Sequence, residues 1–139
     1  MAEFAFRLQR VLEYRELAEG WAKDAYLEAR AARLEASAVL EAIQQKRNDI
    51  VQKPAKTIED RIALEACIEK SKEDERQQQI VIELLETDEA KRKEDWTEAR
   101  KELQALEKLR EAALAQWKLD ENRREQRALD ELFIQRRAA

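Results

Sequence analysis

The sequence predicts an all-α chain: two long helices folded back as an antiparallel coiled-coil hairpin, the second helix longer than the first. Three observations carry this. Ala, Glu, Lys, Leu and Arg supply 89 of the 139 residues, whereas about half already marks a coiled coil or long helix. One Gly and one Pro cannot furnish the turns between strands that a β-rich domain needs. Apolar residues recur at helical spacing throughout, with a single clear interruption around Pro54.

The first helix is expected over about residues 6–50. Tyr14, Leu17 and Trp21 share one face, and Leu27, Ala31, Leu34, Ala38, Val39, Ile43 and Ile50 continue the stripe. This stripe drifts against a strict seven-residue repeat, which implies a weak supercoil. Gly20 is an isolated glycine among strong helix formers and costs only about 1 kcal/mol against Ala, so the helix is read as continuous through it. The turn covers about residues 51–57. Pro54 has no amide proton and disfavours helix in the residue before it. Thr57 with Asp60 three residues later resembles a capping box.

The second helix is expected over about residues 58–135, with a seam of Ile58, Ile62, Ala66, Ile80, Leu84, Trp96, Ala99, Leu103 and Leu106, and beyond it Leu109, Ala113, Trp117, Leu129 and Leu132. Residues 69–79 contain no apolar side chain and residues 86–95 only Ala90, which reads as solvated or locally soft helix. Acid-to-base pairs four apart (Glu3–Arg7, Glu19–Lys23, Glu89–Lys93, Asp120–Arg124) support the outer faces by tenths of a kcal/mol each. Residues 1–139 form a single hairpin on this reading. At about 1.5 Å per residue the arms are roughly 65 and 115 Å long. Folding near residue 54 sets Phe4 opposite about residue 103 and Trp21 opposite about residue 86. Some 35 residues of the second helix are then left without a partner, although they carry Leu106, Leu109, Trp117, Leu129, Leu132 and Phe133. Something outside the hairpin is expected to cover them.

Several functions are disfavoured. The net charge is −4, both halves are nearly balanced, and no basic stripe suited to nucleic acid appears. No segment approaches the roughly 20 apolar residues that span a bilayer, and no secretion signal is visible at the start. Cytoplasm is the expected location, in keeping with a lone Cys67. No His exists for zinc, for acid–base work or to activate that thiol, and one Gly excludes a phosphate-cradling loop. No enzyme activity, cofactor or metal is expected. Trp21 and Trp96 are read as seam and Trp117 as a partner contact. The basic run Arg123, Arg124, Arg127, Arg136 and Arg137 offsets the helix dipole at its end or docks on an acidic partner.

Both ends of the chain carry a further pattern. The opening Phe4-x-Phe6-x-Leu8-x-x-Val11-Leu12-x-x-Arg15-x-x-x-Glu19 resembles the start of the flagellar export protein FliJ family. Leu106-Glu107-Lys108-Leu109-Arg110-Glu111 resembles that family's second signature, and residues 121–131, closing on Leu129-Asp130-Glu131, its third. The resemblance implies a cytoplasmic stalk of the bacterial type III flagellar export apparatus, peripheral to the inner membrane and needed for motility and chemotaxis. It implies an antiparallel two-helix coiled coil that enters the pore of the hexameric export ATPase, contacts the export gate and escorts export chaperones. By resemblance the ATPase-facing residues are Phe6, Leu8, Val11, Leu12, Arg15, Leu106, Leu109, Leu129, Asp130 and Glu131; Trp117 joins them from the spacing argument. No gate-binding residue is carried over. A generic coiled-coil adaptor and the equivalent stalk of an injectisome fit the same periodicity.

Overall fold

A computed structural model describes residues 3–138. It is all-α, with two helices, α1 (Gln9–Val51, 43 residues) and α2 (Ile58–Ala138, 81 residues), paired antiparallel. α1 passes through Gly20 without a break, and α2 is continuous through both polar stretches.

The helix ends follow from local chemistry. The Thr57 hydroxyl accepts the Asp60 amide at 3.1 Å, filling one of the donors a helix start leaves open. α1 closes as Gln52 donates to the Asn48 carbonyl and Lys53 to that of Ile50, a final tightening turn. α1 starts at Gln9 rather than near residue 6. Phe4, Phe6 and Leu8 are half-buried while Ala5 and Arg7 between them are exposed, the period-two pattern of an extended segment. Gln9 donates to the Phe6 carbonyl at 3.1 Å, turning that segment into the helix.

The chain divides into two compact units. In residues 21–96, the half-buried or buried positions on α1 include Ala22, Tyr26, Ala29, Arg33, Ala36, Leu40, Ile43, Arg47 and Ile50. On α2 they include Leu64, Ile68, Ser71, Glu75, Gln78, Ile82, Leu85, Glu89 and Trp96. Consecutive members step alternately by four and three, apart from the full seven from Glu89 to Trp96, a seven-residue repeat, so the expected drift is not what this seam follows. The face differs as well. Of the large α1 residues expected in the stripe, Tyr14, Leu17, Trp21 and Leu34 are half or more exposed. The seam instead holds Ala29 and Ala36, only 8% and 7% exposed. Small side chains let two helices approach closely. Ile58, Ile62, Ile80 and Leu84, expected in the α2 seam, are likewise exposed.

The polar stretches of α2 are not merely solvated. Glu75 takes an ion pair from Arg47 and a 3.1 Å hydrogen bond from Gln44. The Gln78 amide donates to the Ala36 carbonyl at 2.9 Å, and Arg33 pairs with Glu89. The Arg47 and Gln44 bonds hold the Glu75 carboxyl below the usual glutamate range, and the Glu89 bond raises the Arg33 guanidinium further. Tyr26 stacks on Trp96 with ring centres 5.5 Å apart; Trp21, expected in the seam opposite residue 86, is 60% exposed.

Register explains these differences. Residues 52–63 are all exposed, so the first turns of α2 run on before pairing begins at Leu64. The fold is not symmetrical about Pro54: Arg33 opposite Glu89 and Arg47 opposite Glu75 are both centred on residue 61.

Candidate functional site

The second unit, residues 3–20 and 97–138, contains every residue expected to face a partner. Its seam runs through Leu8 just before α1, Leu12, Arg15 and Glu19 on α1, and Ala99, Leu103, Leu106, Arg110, Ala113 and Trp117 on α2. Leu12, 4% exposed, is the most buried side chain among the described residues. Arg15 pairs with Glu102.

The extended segment before α1 lies along α2. The Phe4 ring meets Trp117 edge-on, with centres 6.0 Å apart and planes at 61°, and the Arg110 guanidinium sits 5.6 Å from the Phe4 ring centre. Edge-to-face rings and a cation over a ring are both favourable electrostatically. Phe4, Phe6, Leu8, Leu109, Ala113 and Trp117 line an open, mostly apolar groove of about 490 Å³, rimmed by Arg7, Gln116 and Asp120.

Phe4 on Trp117 moves the pairing well beyond the expected partner near residue 103. Leu106, Leu109 and Trp117 therefore lie within the paired part, and the helix beyond it begins at residue 118. The positions that carried Ala113 and Trp117 fall next on Asp120, Arg124, Arg127 and Glu131, all charged. Residues 118–138 are exposed apart from half-buried Glu121. They carry Leu129, Leu132 and Phe133 at i, i+3, i+4, a single helical face, at 55%, 58% and 67% exposure.

The expected partner-facing residues thus fall into three settings. Leu12 and Leu106 are seam, and Arg15 is held by Glu102. Phe6, Leu8, Leu109 and Trp117 line the groove, with Val11 exposed on α1 nearby in sequence. Leu129, Asp130 and Glu131 are exposed on the helix beyond the seam. Phe4 and Arg110 were not among them, yet they join the extended segment to α2. The Phe4-x-Phe6-x-Leu8 alternation, read as helix, was the signal for that segment.

Elsewhere, Cys67 is exposed in an open groove of about 310 Å³ with Ile43, Lys46, Ile50, Lys70, Ser71 and Asp74. Among the described residues there is no cluster suited to a metal ion and no helix long and apolar enough to cross a membrane.

No curated protein and no solved structure matches the chain. The family model described as flagellar FliJ protein matches residues 4–139, the span that includes both the extended segment and the exposed end of α2. The two-helix architecture and that match agree: the chain belongs to the flagellar FliJ family, whose members are stalk components of the flagellar export apparatus.

Proposed function

We propose that the unit formed by residues 3–20 and 97–138 enters the pore of the hexameric flagellar export ATPase and activates it. The supporting observation is the 118–138 segment: a helix whose seam turns polar after Trp117 while Leu129, Leu132 and Phe133 form an exposed apolar face. A monomer that retains such a face in water implies a surface to cover it. Leu129, Asp130 and Glu131 then touch the ring, and Phe6, Leu8, Val11, Leu109 and Trp117 border it. Leu12, Arg15 and Leu106 act by holding the helix pair that presents them. One asymmetric helix end meets six equivalent subunits differently, so its binding energy favours the assembled, active ring over other states. The protein acts as a non-enzymatic stalk. It works in the cytoplasm at the inner-membrane base of the flagellum, where it links the ATPase to the export gate and to export chaperones.

The test is capture of the purified ATPase by the full chain and by a truncation after Trp117, followed by turnover measurements. Full-length protein is expected to bind and to raise turnover. The truncation is expected to remain helical and lose both effects. Retained binding, or turnover unchanged at saturation, refutes the proposal.

A further inference from the structure

Residues 3–8 contain neither Gly nor Pro, yet they stay outside α1. Their side chains explain this. Residues two apart point to nearly opposite sides of a helix but share one side of an extended segment. Extension is what lets Phe4 and Phe6 both line the groove on α2. The attachment is nevertheless thin. A helix spends its own amides and carbonyls internally and offers an extended chain no backbone edge. Among the described residues, the hydrogen bonds of this segment both run to the start of α1: Gln9 donates to the Phe6 carbonyl at 3.1 Å and Leu12 to that of Leu8 at 2.9 Å. None crosses to α2. What crosses is apolar packing and the Phe4 ring, edge-on to Trp117 and against the Arg110 guanidinium.

We infer that residues 3–7 are a strap, hinged at the turn before Gln9, that opens from α2 while the helix pair stays closed, and that the closed strap competes with docking on Trp117. The groove under Phe4 and Phe6 is already open to solvent, at about 490 Å³. The two rings leave it without breaking a packed layer, whereas Leu12, 4% exposed, stays in the seam. A segment with few buried contacts and no backbone bond to its neighbour belongs to the least stable part of a fold and opens locally. The open form is a minor state on the order of 1–10%. Opening bares Trp117 and Leu109, which lead directly into the exposed end of α2. The competition rests on the ATPase reading: a ring that takes the Trp117 face binds only the open form, so its apparent affinity is reduced by the open fraction. The closed strap keeps an apolar face covered until that partner takes it.

The test has two arms, which tell failure of the strap from failure of the ATPase reading. The first uses the protein alone. Trp21→Phe and Trp96→Phe leave Trp117 as the one tryptophan, carried in fluorinated form, and fluorine relaxation dispersion reads exchange at its ring. Ala5 and Gln116 are exposed and line the same groove. On a Cys67→Ser background, Ala5→Cys with Gln116→Cys is joined by a short bis-maleimide to lock the strap, and the same chain capped with N-ethylmaleimide is the control. The free and capped chains are expected to show exchange, the locked chain none, and Phe4→Ala a resonance shifted toward the open position. A free chain without exchange, or a locked chain that exchanges equally, overturns the strap. The second arm measures binding to the purified export ATPase, with circular dichroism confirming helix in each version. Phe4→Ala is expected to bind several-fold more tightly, up to about tenfold, and the locked chain at least about tenfold more weakly than the capped one. Phe4→Ala that binds no better than wild type, or a locked chain that binds like the capped one, overturns the competition. Binding by no version overturns the ATPase reading and the competition with it, and the first arm alone then decides the strap.

Discussion

Residues 21–96 cross their seam with ion pairs, Arg33 to Glu89 and Arg47 to Glu75, and with one stacked aromatic layer, Tyr26 on Trp96. Residues 3–20 and 97–138 close theirs with Leu12, then with an extended segment whose Phe4 meets Trp117, and then leave the seam altogether. The difference concerns specificity. The two ion pairs lie two heptads apart on both helices, so a slip of one heptad opposes Arg33 to an apolar layer and leaves Glu89 alone. Charged layers add little net stability but penalise the wrong register. The aromatic end has a more exposed charged pair, Arg15 to Glu102, and adds the shape of Phe4 against Trp117.

That contrast can be broken most strongly at Leu12. Leu12→Ala removes the most buried side chain and is expected to lower stability by about 2–5 kcal/mol, read as a fall in the thermal midpoint by circular dichroism. A change under a few tenths of a kcal/mol shows that the aromatic unit does not rest on its seam. Phe4→Ala should cost less, on the order of 0.5–1.5 kcal/mol for the ring pair. Its sharper signature is a red shift of Trp117 emission, measured with Trp21 and Trp96 replaced by Phe. Unchanged emission means that the extended segment does not cover Trp117 in solution.

Gly20 sits inside α1 with nothing within 4 Å of where a Cβ would stand. Gly20→Ala is therefore expected to raise stability by roughly 0.5–1 kcal/mol, and a loss in chemical denaturation experiments contradicts the open space. The smallest effect concerns pH. The carboxyl of Glu75 is held below its ordinary range by Arg47 first and Gln44 second. A carboxylate depressed by folding contributes stability above its unfolded pKa and loses it as pH falls through the folded pKa. Glu75→Gln should thus be less stable than wild type near neutrality, and the gap should close on acidification below the ordinary glutamate range. A gap constant with pH removes Glu75 from the ionic layer.

The sequence made some elements legible and hid others for a physical reason. Thr57 with Asp60 marked the start of α2, and the cap forms. The long uninterrupted helices followed from composition. Trp96, Ala99, Leu103 and Leu106 were legible as seam because the apolar spacing there is also the contact spacing, whereas Ala113 and Trp117, placed beyond it, belong to the same series. On α1 the two diverge. The four-and-three series Leu12, Arg15, Glu19, Ala22, Tyr26, Ala29, Arg33, Ala36 runs through charges and alanines, whereas Tyr14, Leu17 and Trp21 form a more hydrophobic stripe on another face. Hydrophobicity ranks faces by size and apolarity, but a two-helix contact selects small residues and charges that can pair across it.

For the candidate site, the motif positions at both ends of the chain were readable, and so was the presence of apolar residues beyond the hairpin. Where the hairpin stops was not. By itself the sequence determined helix, hairpin, unequal arms and family, because composition, one interruption and short-range capping are local properties. Only the tertiary structure decided register, which face is inside, and that Phe4 packs against Trp117. Those are settled by pairing between residues far apart in sequence, where each contact depends on all the others being in register.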